Sequence, residues 1–244
     1  MICHRFFIFR RSGFVLYVTI AIIIRLTYSL HQINKQMSKE EAPEFQKIWR
    51  NCLLHYPFSN DAVFDISNNC DTLIVEKGEY FCTPNSFGNR FAILVEGLMV
   101  SKYKKNEEEM QRHKDSDYIY TEVFYPPENI YVYNHGGFDK GTKATETIEA
   151  IEDSRLIFLT DKNLLKLENL YPELIIWEKH NLNDCLAKSE LRLRILMLME
   201  NKDRIFYFDD ANPGIIKRLG ITVASNLLDV NRNLINQVLP DWDK

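Results

Sequence analysis

The stretch DRIFYFDDANPGIIKRLGITVASNLLDVNRNLINQVLP, residues 203–240, decides how the chain is read. Pro213 lacks a backbone donor and ends one helix. Thr222 is placed to N-cap the next, over Val223 to Leu228. A turn at Asp229-Val230 leads into another short helix, Asn231 to Leu239. Two short helices about one tight turn have helix-turn-helix geometry. Ala224 and Ser225 are small where helices must approach closely, and Leu228, Val230, Ile235 and Val238 supply apolar contacts. Asp229 stands where glycine is usual, and aspartate tolerates a left-handed backbone better than most residues.

Such a motif lays its second helix in the major groove of DNA. The exposed face of that helix would carry Asn231, Arg232, Asn236 and Gln237. Carboxamides pair bidentately with adenine and Arg with guanine. Lys217, Arg218 and Arg204 are the candidates for phosphate contacts. A solvated face of an ordinary helical domain has the same spacing, so the upstream sequence must discriminate.

Working back from this motif, residues 173–199 form one long helical pattern in which Ile175, Leu182, Leu186 and Leu193 keep heptad-like spacing. Two readings fit: an intramolecular core helix or a dimerisation helix. Pro172 separates it from a shorter helix over 161–171. Between 61 and 160 the pattern changes to short strands with turn punctuation. They are DTLIVEKGEYFC (71–82), FAILVEGLMVSKY (91–103), YIYTEVFY (118–125), IYVYN (130–134), TETIEAI (145–151) and RLIFLT (155–160). The second reads as a hairpin hinged at Glu96-Gly97. Residues 104–117 are a charged, solvated excursion, and 135–141 a loop. Strands at this spacing suggest a sandwich or roll. Residues 38–56 are helical by spacing, with Ser38 and Glu41 set as a capping box.

The N-terminal 36 residues differ. They hold Arg5, Arg10, Arg11, Arg25 and Lys35 with no acid, and an uncharged run, FVLYVTIAIII, at 14–24. Eleven residues are short for a membrane span. The segment reads as a doubtful extension ahead of a natural start at Met37; a membrane anchor is the alternative to a cytoplasmic protein. The net charge of −4 divides into +5 for 1–36, +1 for 188–244 and −10 for the middle. The middle is therefore a poor nucleic-acid surface, and DNA contacts depend on local placement of cations in the C-terminal part.

The five cysteines, Cys3, Cys52, Cys70, Cys82 and Cys185, include no C-x-x-C pair, which argues against a zinc or iron–sulfur site. His55, His113, His135 and His180 form no pair at ligand spacing. Glu122, His135 and Glu146 match no cupin-type metal motif. No metal, cofactor or catalytic group is expected.

In this order the segments resemble the Crp/Fnr superfamily of regulators, most nearly its divergent Bacteroidetes-type members. The resemblance spans about 200 residues, Phe45 to Leu239. FAILVEGLMVSKY is similar to the family's F-I-L-x-G-x-x-R-x-Y segment, and TIEAIEDSRLIFLT (147–160) to its strand-to-helix junction. LENLYPEL (167–174) is similar to the start of its dimer helix, and NPGIIKRL (212–219) to the run before its helix-turn-helix. The resemblance implies an α+β fold: a cyclic-nucleotide-binding-like β-roll or jelly roll, a long dimerisation helix and a C-terminal, winged-helix-like domain. The implied division is a sensor over 37–160, connecting and dimerisation helices over 161–201, and a DNA-binding domain over 202–244. The implied function is a homodimeric DNA-binding transcription regulator, ligand-responsive or constitutive, with RNA polymerase a further candidate partner.

The chain departs from that pattern in two places. Cyclic-nucleotide binders carry G-E and later R-[ST]-A around the phosphate. Here the Arg position falls on Ala144 and the next on Thr145, and no G-E pair occurs in 124–140. Lys143 and Thr145 remain as pocket candidates for an unknown small-molecule effector, one that is not expected to be a cyclic nucleotide. In the second helix of the motif, relatives commonly read L-S-R-I-R where this chain reads Ile235-Asn236-Gln237-Val238-Leu239. Losing two cations weakens phosphate attraction and flattens its salt dependence. The competing reading is a degenerate member acting as a ligand-binding or interaction module without specific DNA binding.

Overall fold

A computed structural model of the chain describes residues 58–86, 88–112, 116–126, 130–133 and 143–240. The expected helix over 38–56, the apolar run at 14–24 and the loop over 135–141 lie outside them. The elements are α1 (Asn60–Asn69), β1 (Asp71–Val75), β2 (Tyr80–Cys82), β3 (Arg90–Glu96), β4 (Met99–Lys104), α2 (Glu107–Arg112), β5 (Tyr118–Phe124), β6 (Tyr131–Tyr133), β7 (Thr147–Ala150) and β8 (Ser154–Thr160). Then come α3 (Asp161–Leu170), α4 (Pro172–Leu198), α5 (Asn201–Ala211), α6 (Ile215–Leu219), α7 (Ile221–Leu228) and α8 (Arg232–Val238).

The eight strands form two antiparallel sheets, in the orders β1-β8-β3-β6 and β2-β7-β4-β5. Most successive strands therefore alternate between sheets, as in a jelly roll. This corrects one expectation: β3 and β4 are not a hairpin. β3 pairs with β6 and β8, while β4 pairs with β5 and β7. At Gly97 the chain turns a corner from one sheet to the other. Gly97 has φ +109°, and a Cβ there would sit 2.7 Å from the Asp153 carbonyl oxygen, so only glycine fits against the β7–β8 corner. Sequence periodicity missed this because β3 is buried on both faces and so shows no alternation.

Alternation still assigns the faces. Ala92, Leu94, Met99, Phe124, Val132, Ile148, Ala150 and Leu156 fill the space between the sheets. Phe91, Ile93 and Val95 point the other way and meet α1, α3 and the first turns of α4 through Val63, Leu167 and Trp177. The outer face of the second sheet is apolar as well. Leu98, Val100, Tyr120, Val123 and Tyr125 form one cluster with Ile205, Ile216, Leu219, Leu227 and Ile235 of the C-terminal helices. The roll and the C-terminal helices therefore share a core.

Caps fix the helices around the roll. Thr160 accepts the Asn163 N–H at 3.2 Å at the start of α3. Ser59 caps α1, and its hydroxyl also donates to Glu173 at 2.7 Å, tying α1 to α4. Pro172 opens α4, where a missing N–H costs nothing. α4 runs 27 residues, about 40 Å. It leaves Ile175, Leu182, Leu186 and Leu193 exposed. The charged excursion after β4 is less solvated than expected: it contains α2, and the buried Lys105 donates through Nζ to the Ser116 carbonyl at 2.7 Å. Beyond Thr160 every described element is helical, so the wing strands implied by the resemblance are not among the described residues.

Candidate nucleic-acid interface

α7, a turn and α8 make the helix-turn-helix. Gly220, with φ +76°, separates α6 from α7 and stands at the N-cap. The expected cap by Thr222 is therefore displaced: α7 starts one residue earlier, at Ile221, and Thr222 lies inside it. Asp229 adopts φ 52°, ψ 52°, the left-handed conformation that the turn demands. The Val230 N–H donates to the Ser225 carbonyl at 2.9 Å and closes the end of α7. Asn231 then caps α8, its side-chain oxygen accepting the Asn233 N–H at 2.8 Å.

Arg204, on α5, is what braces this turn. Its Nη1 donates to the carbonyls of Leu228 at 3.0 Å and Asp229 at 3.1 Å. Its Nη2 donates to Asn201 Oδ1 at 2.6 Å, and its Nε to the Met199 carbonyl at 3.3 Å. With 8% of its surface exposed, Arg204 is an internal strut, which corrects its reading as a phosphate contact. A buried guanidinium is stable only when its donors are satisfied, and here three backbone carbonyls and the Asn201 carboxamide oxygen satisfy them.

The other sequence-predicted residues divide into groups. Asn236 and Gln237 are exposed on α8, Asn231 is exposed at its cap, and Arg232 is half-buried beside them. Lys217 is exposed on α6. Arg218, its neighbour, is engaged with the roll: Nε donates to Glu152 Oε1 at 3.0 Å, and Nη2 donates to Glu152 Oε2 at 2.8 Å and to the Gly97 carbonyl at 2.9 Å. The hydrogen bond to Glu152 holds the Arg218 pKa above the ordinary arginine value. Arg192 of α4 makes a second bridge, donating through Nη2 to the carbonyls of Tyr120 on β5 and Leu227 on α7, at 3.0 and 2.9 Å. These contacts set the orientation of the helix-turn-helix on the roll while leaving the outer face of α8 uncovered.

In the roll, Lys143 and Thr145 are exposed on either side of the buried Ala144. Ala144 is pinned by its backbone, its N–H donating to Ser86 at 2.8 Å and its carbonyl accepting from Asn85 at 2.9 Å. The next residue inward is Glu146, 2% exposed. Ser101 Oγ donates to the Glu146 carboxylate, and Thr121 Oγ1 donates to Ser101 Oγ at 3.2 Å. Among the described residues no group of three His, Cys, Asp or Glu side chains could hold a metal, and no helix is long and apolar enough to cross a membrane.

The sequence matches no family model and none of the curated proteins. Solved structures do match. FixK2 from Bradyrhizobium japonicum superposes with a TM-score of 0.57 at 13% identity, over 70% of this chain and 83% of that one. The c-di-GMP responsive global regulator CLP of Xanthomonas campestris gives 0.56 at 12% identity, over 75% and 90%. A Eubacterium rectale chain assigned to the Crp/Fnr family gives 0.55 at 13%, over 75% and 82%. The fold is that of the Crp/Fnr regulators. A Crp/Fnr-type roll, long helix and helical tail thus arise from a sequence that shares few side chains with these neighbours.

Sequence reading missed three groups that matter in this Crp/Fnr fold. Asn233 is exposed on α8, one turn before Gln237; the i, i+4 spacing was the available signal. Glu152 and Arg192 give no sequence signal, because the partner of Glu152 lies 66 residues away and those of Arg192 lie 72 and 35 away.

Proposed function

We propose that the chain is a homodimeric, DNA-binding transcription regulator of Crp/Fnr type. The observation that carries this reading is the helix-turn-helix itself: α7, the left-handed Asp229 and the capped α8, with Asn231, Arg232, Asn236 and Gln237 on or beside the uncovered face. Lys217 supplies a nearby cation. In this reading residues 37–160 act as the sensor, 161–201 connect and dimerise, and 202–244 bind DNA in the cytoplasm. The exposed stripe Ile175, Leu182, Leu186 and Leu193 on α4 suits a coiled-coil seam with a second copy. RNA polymerase is a further partner under this reading.

The effector is not a cyclic nucleotide. Supporting this, the position for a phosphate-binding Arg is Ala144, and a carboxylate, Glu146, is buried close by in the chain. An anionic phosphate brought near a buried carboxylate meets repulsion that low dielectric makes costly. Lys143 and Thr145 remain the side chains for an uncharged or differently placed effector.

The test is enrichment of duplexes from a random-sequence pool by the purified chain at low salt, followed by footprinting of the enriched sequence. A protected two-fold-symmetric site is the expected result. Retention that is equal for all sequences would overturn the reading.

A further inference from the structure

Resting on the DNA-binding reading above, we infer that Asn233 and Gln237 read adenine, so that each half-site bound by α8 holds two A·T pairs about two base-pair steps apart. The inward face of α8 fixes the outward one. Ile235 is fully buried, and Leu234 and Val238 pack against the same core. That fixes the opposite stripe outward, where Asn233 and Gln237 are exposed. Their i, i+4 spacing puts them on one stripe, about 6 Å apart along the axis at the helical rise. B-DNA rises about 3.4 Å per base pair, so two side chains so spaced address pairs about two steps apart.

The chemistry then selects the base. A carboxamide offers one donor edge and one acceptor edge. Adenine alone presents the matching pair in the major groove, the N6 donor and the N7 acceptor; guanine presents two acceptors and needs a two-donor partner such as Arg. Cytosine offers only a donor, at N4, and thymine only an acceptor, at O4, so each makes a single hydrogen bond there. The carboxamide of Asn231 is tied down by its cap to the Asn233 N–H, whereas the side chains of Asn233 and Gln237 make no hydrogen bond among the described residues. Asn233 is thereby assigned as a specificity-determining residue beside Gln237.

The experiment uses the whole chain and the duplex enriched from a random pool. Each adenine of the enriched site is replaced in turn by 7-deazaadenine, which lacks only the N7 acceptor. Two adenines per half-site are expected to be sensitive, each losing about ten-fold in affinity. Asn233→Ala is expected to abolish the loss at one of them and Gln237→Ala at the other. Because the probe alters the DNA, a folding defect cannot mimic the result in the unmodified chain. Equal affinity for the adenine and 7-deazaadenine duplexes, or G·C pairs at the positions that respond to these two substitutions, overturns the adenine reading and leaves DNA binding standing. A pool from which nothing is enriched overturns both.

Discussion

Arg218 lays its guanidinium along the carboxylate of Glu152, with both carboxylate oxygens accepting at 3.0 and 2.8 Å. The pair clips α6 to the corner between β7 and β8, over the edge of the core that the roll and the C-terminal helices share. Both side chains are about one-third exposed, so solvent screens much of the attraction. Glu152→Lys is expected to lower stability by less than about 1 kcal/mol, with most of it recovered in Glu152→Lys/Arg218→Glu. Urea unfolding of the single and double variants checks this; an additive pair of losses would count against the ion pair.

The same contact predicts an asymmetry between two adjacent cations. Arg218 is already neutralised by Glu152, while Lys217 is exposed. Lys217→Ala is expected to reduce the slope of log affinity for DNA against log salt by about one. Arg218→Ala is expected to change that slope by clearly less. Titrations of one duplex at several salt concentrations measure both.

Arg204→Ala would leave the carbonyls of Leu228 and Asp229 without their shared donor. A loss of about 2–3 kcal/mol is expected, as for hydrogen bonds from a buried charged group. Arg204→Lys keeps the charge but not the fork that spans both carbonyls, and falls between. Denaturant midpoints at constant slope give the ranking, and a Lys variant as stable as the parent would refute the role assigned to the fork.

For α4, a carboxylate in the exposed stripe tests the seam. Leu186 is 68% exposed in the single chain, so Leu186→Asp has little reason to disturb the fold. It is expected to convert a dimer to a monomer at micromolar concentration, read by light scattering, with the circular dichroism unchanged. A dimer that persists in the variant places the seam elsewhere.

Burial, and then the neighbouring Asp71 carboxylate, push the Cys70 thiol from 9.0 up to about 12. The folded state therefore holds this proton longer than the unfolded one, and the contribution to stability falls as pH rises between those two values. Since the thiolate is the reactive form, alkylation of Cys70 at pH 8 is expected to be at least about ten-fold slower in the folded chain than in denaturant. Mass spectrometry of the labelled peptide reports it; equal rates would contradict the burial.

Most of the secondary structure was legible in the sequence, because each element leaves a local mark. The strands after Cys70, the break at Pro172, the 27-residue helix and the two short helices about Asp229 all follow from periodicity, proline and turn chemistry. Helical spacing also puts Arg232, Asn236 and Gln237 within α8 and Asn231 at its start, but it gives no sign that Arg232 is half-buried there. Asp229 is the clearest case: its left-handed backbone is a property of one residue in one turn.

What the tertiary structure alone decided concerns groups far apart in the chain. β3 and β4 read as a hairpin because two apolar runs meet at a glycine, yet the turn is a corner between sheets, fixed by the contact of Gly97 with the β7–β8 corner. Arg204 and Arg218 read as phosphate ligands because both are cations near a DNA-binding motif. One is consumed by the turn it braces and the other by a carboxylate 66 residues away. A side chain's charge is written in the sequence, but whether that charge is free for a ligand depends on long-range packing. The helix-turn-helix was thus determined locally. The cations left free to serve it, and its fixed seat on the roll, were set by the fold.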